Sequence, residues 1–124
     1  MTENDASGLR WCSLPEVAEL LDVRLRDVRD LVRDHHLAGT RPQEEGPFLV
    51  PRDFLLTAED GAAEPGPVPS LRGTLILLTD TGFTVDEAVA WLLTEQEDLG
   101  TTPIAALRAQ RIHEVRRLAQ TFAV

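Results

Sequence analysis

Lysine and tyrosine are absent from this chain, cysteine occurs once, and long apolar runs are missing. Each absence removes a class of protein. With no lysine, all 12 basic side chains are arginines, and against 21 acidic residues they leave a formal charge of −9. That balance on its own speaks against a nucleic-acid partner. The lone Cys12 rules out an internal disulfide and points to a reducing compartment; its expected role is that of a small apolar residue. The longest aliphatic run, LILL at residues 75–78, is far too short to span a bilayer. The N-terminus, MTENDASG, lacks the apolar core of a signal peptide. A soluble cytoplasmic protein with no membrane partner is expected. Catalytic signatures are missing too: there is no G-x-S-x-G, P-loop, glycine-rich dinucleotide fingerprint or H-E-x-x-H. His35 and His36 are adjacent and point apart, and no cysteine spacing supports them. No enzyme activity, cofactor or metal is expected.

What is present is organised in two halves. A chain of 124 residues holds one ordinary domain or two very small ones, and cores of that size are marginal alone. Residues 1–8 read as a disordered tail. Ser13 and Glu16 form an S-x-x-E capping box, and Pro15 falls in the first turn of a helix. Val17, Leu20 and Leu21 give that helix an apolar face. Asp22 and Val23 break it, with Val23 expected to plug the turn. Trp11 is expected to staple the helix start. A second helix, residues 25–34, follows with Leu25, Val28, Leu31 and Val32 on one face. Then come two apolar runs, 37–41 and 48–50, around a polar loop with Gly and Pro, which reads as a hairpin. Residues 52–56 start a short helix. Helix, tight turn, helix and hairpin make the outline of a winged helix-turn-helix across residues 9–56.

Residues 57–69, TAEDGAAEPGPVP, read as a linker, with three Pro, two Gly and three acids. Residues 70–124 then read as a small helical domain. A helix is expected from Leu71 to Leu78, with a buried strand as the alternative that periodicity leaves open. A second starts behind the Thr84/Glu87 capping box and runs to Glu95, a third spans 103–109, and a fourth spans 112–122. The expected fold is mainly α: a winged helix-turn-helix with a two-stranded wing, followed by a helical C-terminal domain that dimerises or docks a partner.

The second helix carries the sharpest chemical signal. On a wheel of about 100° per residue with Val28 at the centre of the buried face, Arg29 falls at about 100°, Arg33 at about 140° and Arg26 at about 160°. Asp30, Asp34 and Asp27 fall at about 200°, 240° and 260°. The outward surface is one stripe of arginine beside one of aspartate. Arginine suits guanine O6/N7 and phosphate, and the second helix of this motif lies in the major groove. Arg26, Arg29 and Arg33 are therefore the candidate contacts to bases or phosphates of double-stranded DNA, with Arg24, Arg41 and Arg52 positioning the backbone. Arg26–Asp30 and Asp30–Arg33 also have the spacing of intrahelical pairs on a solvated face. Glu44 and Glu45 at the loop tip oppose deep insertion of a wing. The acidity elsewhere is concentrated in residues 80–98, with six acids and no base. Trp91 reads as core. The last helix has Arg108, Arg111, Arg116 and Arg117 against Glu114 alone. That basic end either touches DNA or answers the acidic stretch of the same or a partner chain, and the second reading is preferred.

The series SLPEVAELLDV, an Arg-rich second helix and GPFLVPRDFL resembles a small actinobacterial winged helix-turn-helix family. LRGTLILLTDTGFTVDEAVAWLLTEQEDL followed by TPIAALRAQRIHEVRRLAQ resembles that family's C-terminal domain and is the more specific part. The resemblance implies DNA binding, transcription regulation and control by a Ser/Thr protein kinase acting on the N-terminal tail. In this chain the tail is short, and only Thr2 and Ser7 offer hydroxyls there. A phosphate would add about −1.5 to −2 charge near a DNA-facing surface. The P-x-x-A-L pattern is also similar to toxin-binding domains of antitoxins, which keeps a protein-interaction module as the alternative.

Overall fold

The computed structural model describes Glu3–Asn4 and residues 10–122. The chain divides into two compact units, residues 1–67 and 68–124.

In the first unit, α1 (Leu14–Leu21) starts where the sequence places it. The Ser13 hydroxyl accepts from the Glu16 N–H at 3.2 Å, and the Glu16 carboxylate accepts from the Ser13 N–H at 2.9 Å. This reciprocal pair satisfies two otherwise orphaned donors. Asp22 ends the helix in the left-handed region, at φ 56°, a conformation Asp tolerates better than most residues. The Val23 N–H then donates to the Ala18 carbonyl at 3.0 Å. Three residues separate α1 from α2 (Leu25–Arg33). Val17 and Leu21 of α1 and Val28 of α2 are buried between the helices and the rest of the unit. Val23 does not plug the turn: it is 40% exposed, because the left-handed residue before it turns the chain outward.

The strands differ from the hairpin expected. β2 (Arg10–Cys12) precedes α1 and pairs antiparallel with β3 (Val50–Pro51) on one side and β1 (Glu3–Asn4) on the other. Trp11 therefore lies on a strand, 5% exposed, rather than stapling α1, and Cys12 beside it is fully buried. β1 falls inside the segment expected as a disordered tail. The wing contracts to one mutual pair, with the Thr40 N–H donating to the Leu49 carbonyl at 2.9 Å and the Leu49 N–H to the Thr40 carbonyl at 2.8 Å. Its tightness demands Gly39, where a Cβ would collide with the Leu49 carbonyl oxygen and stand 2.8 Å from the Phe48 ring. The longer pairing goes to β2 instead, because Val50 is wanted in the core, where it is fully buried.

After β3 a single 3-10 turn (Arg52–Phe54) leads to β4 (Leu55–Leu56). Residues 57–69, expected as a linker, do not run free. A second 3-10 turn (Ala58–Asp60) folds the chain back, and β5 (Gly66–Pro67) pairs antiparallel with β4. The composition of a linker here encodes a tight excursion, in which Gly61 supplies φ 81° and the prolines sit outside the ladder's needs.

The second unit is four helices: α3 (Leu71–Asp80), α4 (Val85–Leu93), α5 (Pro103–Arg108) and α6 (Ile112–Gln120). Thr84 and Glu87 cap α4 reciprocally, at 3.1 and 2.8 Å, as the sequence predicts. Thr102 caps α5 by accepting from the Ala105 N–H. Leu71, Leu75 and Leu78 of α3, Leu92 of α4, Ile104 of α5 and Val115 of α6 form the core. Trp91 is core, as expected, and meets Phe122 edge-on with ring centroids 5.9 Å apart; Phe83 meets Phe122 at 5.2 Å. The Trp91 indole N–H is buried and has no hydrogen-bond partner among the described residues. No helix among the described residues is long and apolar enough to cross a membrane.

Candidate nucleic-acid interface

The interface candidate is built on α2. Val28, fully buried, anchors the helix, and Leu25, Leu31 and Val32 are half-buried beside it. This anchoring turns Arg26, Arg29, Asp30 and Arg33 outward, where all four are exposed. The arginine stripe read from the sequence is therefore a solvent-facing strip of a rigid element. The Asp27 carboxylate accepts from the Arg24 N–H at 3.2 Å at the helix start, where the macrodipole favours an anion.

The six arginines differ in how they are held. Arg33 is clamped from two sides, 2.9 Å from Asp30 and 3.3 Å from Asp34. Its pKa is raised, first by the hydrogen bond to Asp34 and then by the nearby Asp30 charge. Arg24 stands 3.7 Å from Asp27 with its side chain 73% exposed. Arg26 and Arg29 make no ion pair with any described residue; the Arg26–Asp30 pairing allowed by spacing does not form, since Asp30 turns to Arg33. Arg41 is exposed and donates to the Gly46 carbonyl at 2.8 Å, bracing the wing loop.

Arg52 corrects the sequence expectation. Its side chain is 6% exposed and points into its own unit. It donates to the Leu55 carbonyl at 3.2 Å, to the Thr57 hydroxyl at 2.9 Å and to the Asp60 carboxylate at 3.2 Å, while Asp60 also accepts from the Thr57 N–H at 2.8 Å. A guanidinium so enclosed cannot reach a phosphate without unfolding its surroundings. Sequence reasoning missed this because Thr57 and Asp60 lie in the segment read as linker. The signal available was the T-x-x-D spacing of a local cap at residues 57–60. Thr2 and Ser7, the expected phosphate acceptors, lie outside the described residues. Among the described residues, no group of three or more His, Cys, Asp or Glu is placed to hold a metal.

A short helix pair with a three-residue turn, a buried anchor on the second helix, an arginine strip opposite it and a small wing define a winged helix-turn-helix protein. Comparison with known proteins agrees with that class. Residues 6–55 match the family model described as the winged helix-turn-helix domain of DNA-binding protein Rv2175c, and residues 68–123 match the Rv2175c C-terminal domain of unknown function. The chain is 33% identical over 122 residues to "DNA-binding protein Rv2175c" of Mycobacterium tuberculosis, covering 89% of this chain and 78% of that protein. The NMR structure of Rv2175c superposes with a TM-score of 0.76 at 32% identity, covering 92% of this chain and 81% of the other. The chain belongs to the Rv2175c family.

Proposed function

We propose that this protein binds double-stranded DNA in a sequence-dependent manner and regulates transcription, with α2 entering the major groove. The observation that carries the reading is the pair Arg26 and Arg29, exposed on the outward side of α2 and without an ion pair to any described residue. Each has its donors available for guanine O6/N7 or for phosphate. Arg24, at the start of the helix, is placed for the backbone, and Arg33 contributes after exchange from Asp30 and Asp34. Membership of a family named for a DNA-binding protein supports the same reading.

The test is selection of bound fragments from random duplexes at low salt, followed by anisotropy titrations of the selected site. Arg26→Ala with Arg29→Ala should weaken binding at least about tenfold, since one good base contact contributes about 1–3 kcal/mol of discrimination. Unchanged affinity and unchanged sequence preference in the double variant would overturn the proposal.

A further inference from the structure

We propose that the outer face of α6 is a second DNA-contacting surface, gripping the sugar-phosphate backbone through Arg116 and Arg117. The inference rests on the DNA-binding reading above and assigns a role to the C-terminal domain.

About half to two-thirds of protein–DNA hydrogen bonds go to phosphate and sugar. The winged helix-turn-helix unit has little surplus for this: residues 9–56 carry 7 Arg against 9 Asp and Glu. Two of its expected backbone contacts are taken up inside the fold, and two must exchange from carboxylates. Arg52 is buried on Asp60, Arg41 donates to Gly46, and Arg24 and Arg33 face carboxylates. The α2 arginines that pair with no described residue, Arg26 and Arg29, are needed for the groove.

The supply lies on α6. Residues 108–117 hold four Arg against one acid, Glu114, in a chain whose formal charge is −9. Val115 and Ala119 are fully buried and fix the orientation of the helix. With Val115 at the centre of the buried face, Arg116, His113 and Arg117 fall at about 100°, 160° and 200°, and all three are exposed. Arg116 lies along α3, its Nη2 3.7 Å from the position a Cβ on Gly73 would take, and it makes no ion pair with a described residue. Glu114 is engaged by Arg111 at 2.8 and 2.9 Å, and Arg111 also donates to the Leu99 carbonyl. Arg117 makes no ion pair with a described residue, although its charge also helps to lower the Glu114 pKa and it lines a shallow cavity of about 240 Å³ with Asp98 and Glu114. Exposed guanidiniums with no ion pair to a described residue, about 100° apart on the outward half of one helix, suit an array of phosphates and no particular base. The sugar-phosphate backbone is a regular line of negative charge, and it complements these two arginines.

The experiment uses the full chain and the selected duplex, with affinity measured from 50 to 200 mM salt. Log K falls by about 0.9 per decade of salt for each phosphate neutralised. Arg116→Ala with Arg117→Ala should therefore flatten the slope by about 1.8, so that the wild-type advantage shrinks about tenfold across that range. Arg116→Lys with Arg117→Lys should keep the slope, and the ranking of duplex sequences should not change. If the alanine variant melts below wild type, Arg116→Gln with Arg117→Gln repeats the measurement with the stems retained. A slope equal to wild type in a variant that melts as wild type overturns the inference alone and points the face at a protein. Wild-type protein that retains no duplex at 50 mM salt overturns both this inference and the DNA-binding reading.

Discussion

Replacing Arg52 separates two accounts of one residue. By its type and its place beside the wing it is a phosphate contact; by the structure it is a structural strut. Arg52→Ala removes three donated hydrogen bonds and takes the Arg52 cation from the Asp60 carboxylate, 23% exposed at its side chain, which still accepts from the Thr57 N–H and hydroxyl. Breaking a buried pair from one side costs about 3–5 kcal/mol. Partial solvation of Asp60 lowers this, so about 2–4 kcal/mol is expected. The loss is large for a domain whose total stability is on the order of 5–15 kcal/mol. With a urea slope of about 1–3 kcal/mol per molar, the midpoint should fall by about 1–3 M. Trp11, buried in the same unit, reports the transition by fluorescence when Trp91 is replaced by Phe. DNA affinity should drop only as far as the unit unfolds, with the salt slope intact. An unshifted urea midpoint together with a slope flattened by about 0.9 would refute the strut and restore Arg52 to the DNA surface.

Two further outcomes are expected. Asp30→Asn frees Arg33 from its 2.9 Å partner and removes one negative charge from the α2 face; duplex affinity should rise several-fold while the ratio between selected and scrambled sites falls, and weaker binding to both would show that Asp30 itself reads the site. Glu114 is held below its usual carboxylate value of 4.5, first by the Arg111 hydrogen bond. Its contribution to stability is fully present above pH 4.5 and is lost as pH falls through the lowered folded-state value. Thermal melts of Glu114→Gln and wild type should differ at neutral pH and converge in acid; a gap that stays constant across that window would contradict the assignment.

Much of the architecture was legible because it is written in local rules. Ser13/Glu16 and Thr84/Glu87 mark helix starts by spacing alone, and both capping boxes form. Val28 at the centre of its apolar face made the outward position of Arg26, Arg29 and Arg33 readable before any coordinates. The pairing of strands was not legible. Residues 10–12 are too few to show alternation, and their partner, Val50–Pro51, lies about forty residues away. The apparent linker failed for a related reason: Pro and Gly mark a turn whether the chain beyond it runs free or folds back.

Sequence by itself determined most helices and the face each α2 arginine occupies, because i to i+4 geometry is set within a few residues; the short helix expected at 52–56 is instead a 3-10 turn and strand β4. Tertiary structure decided which arginines remain available, since that depends on what packs nearby. Burial committed Arg52 to Thr57 and Asp60, Gly46 took Arg41, and Arg26, Arg29, Arg116 and Arg117 were left exposed to solvent without an ion pair to any described residue. A guanidinium carries its charge wherever it stands, but only one that has not already spent its donors inside the fold can meet a polyanion.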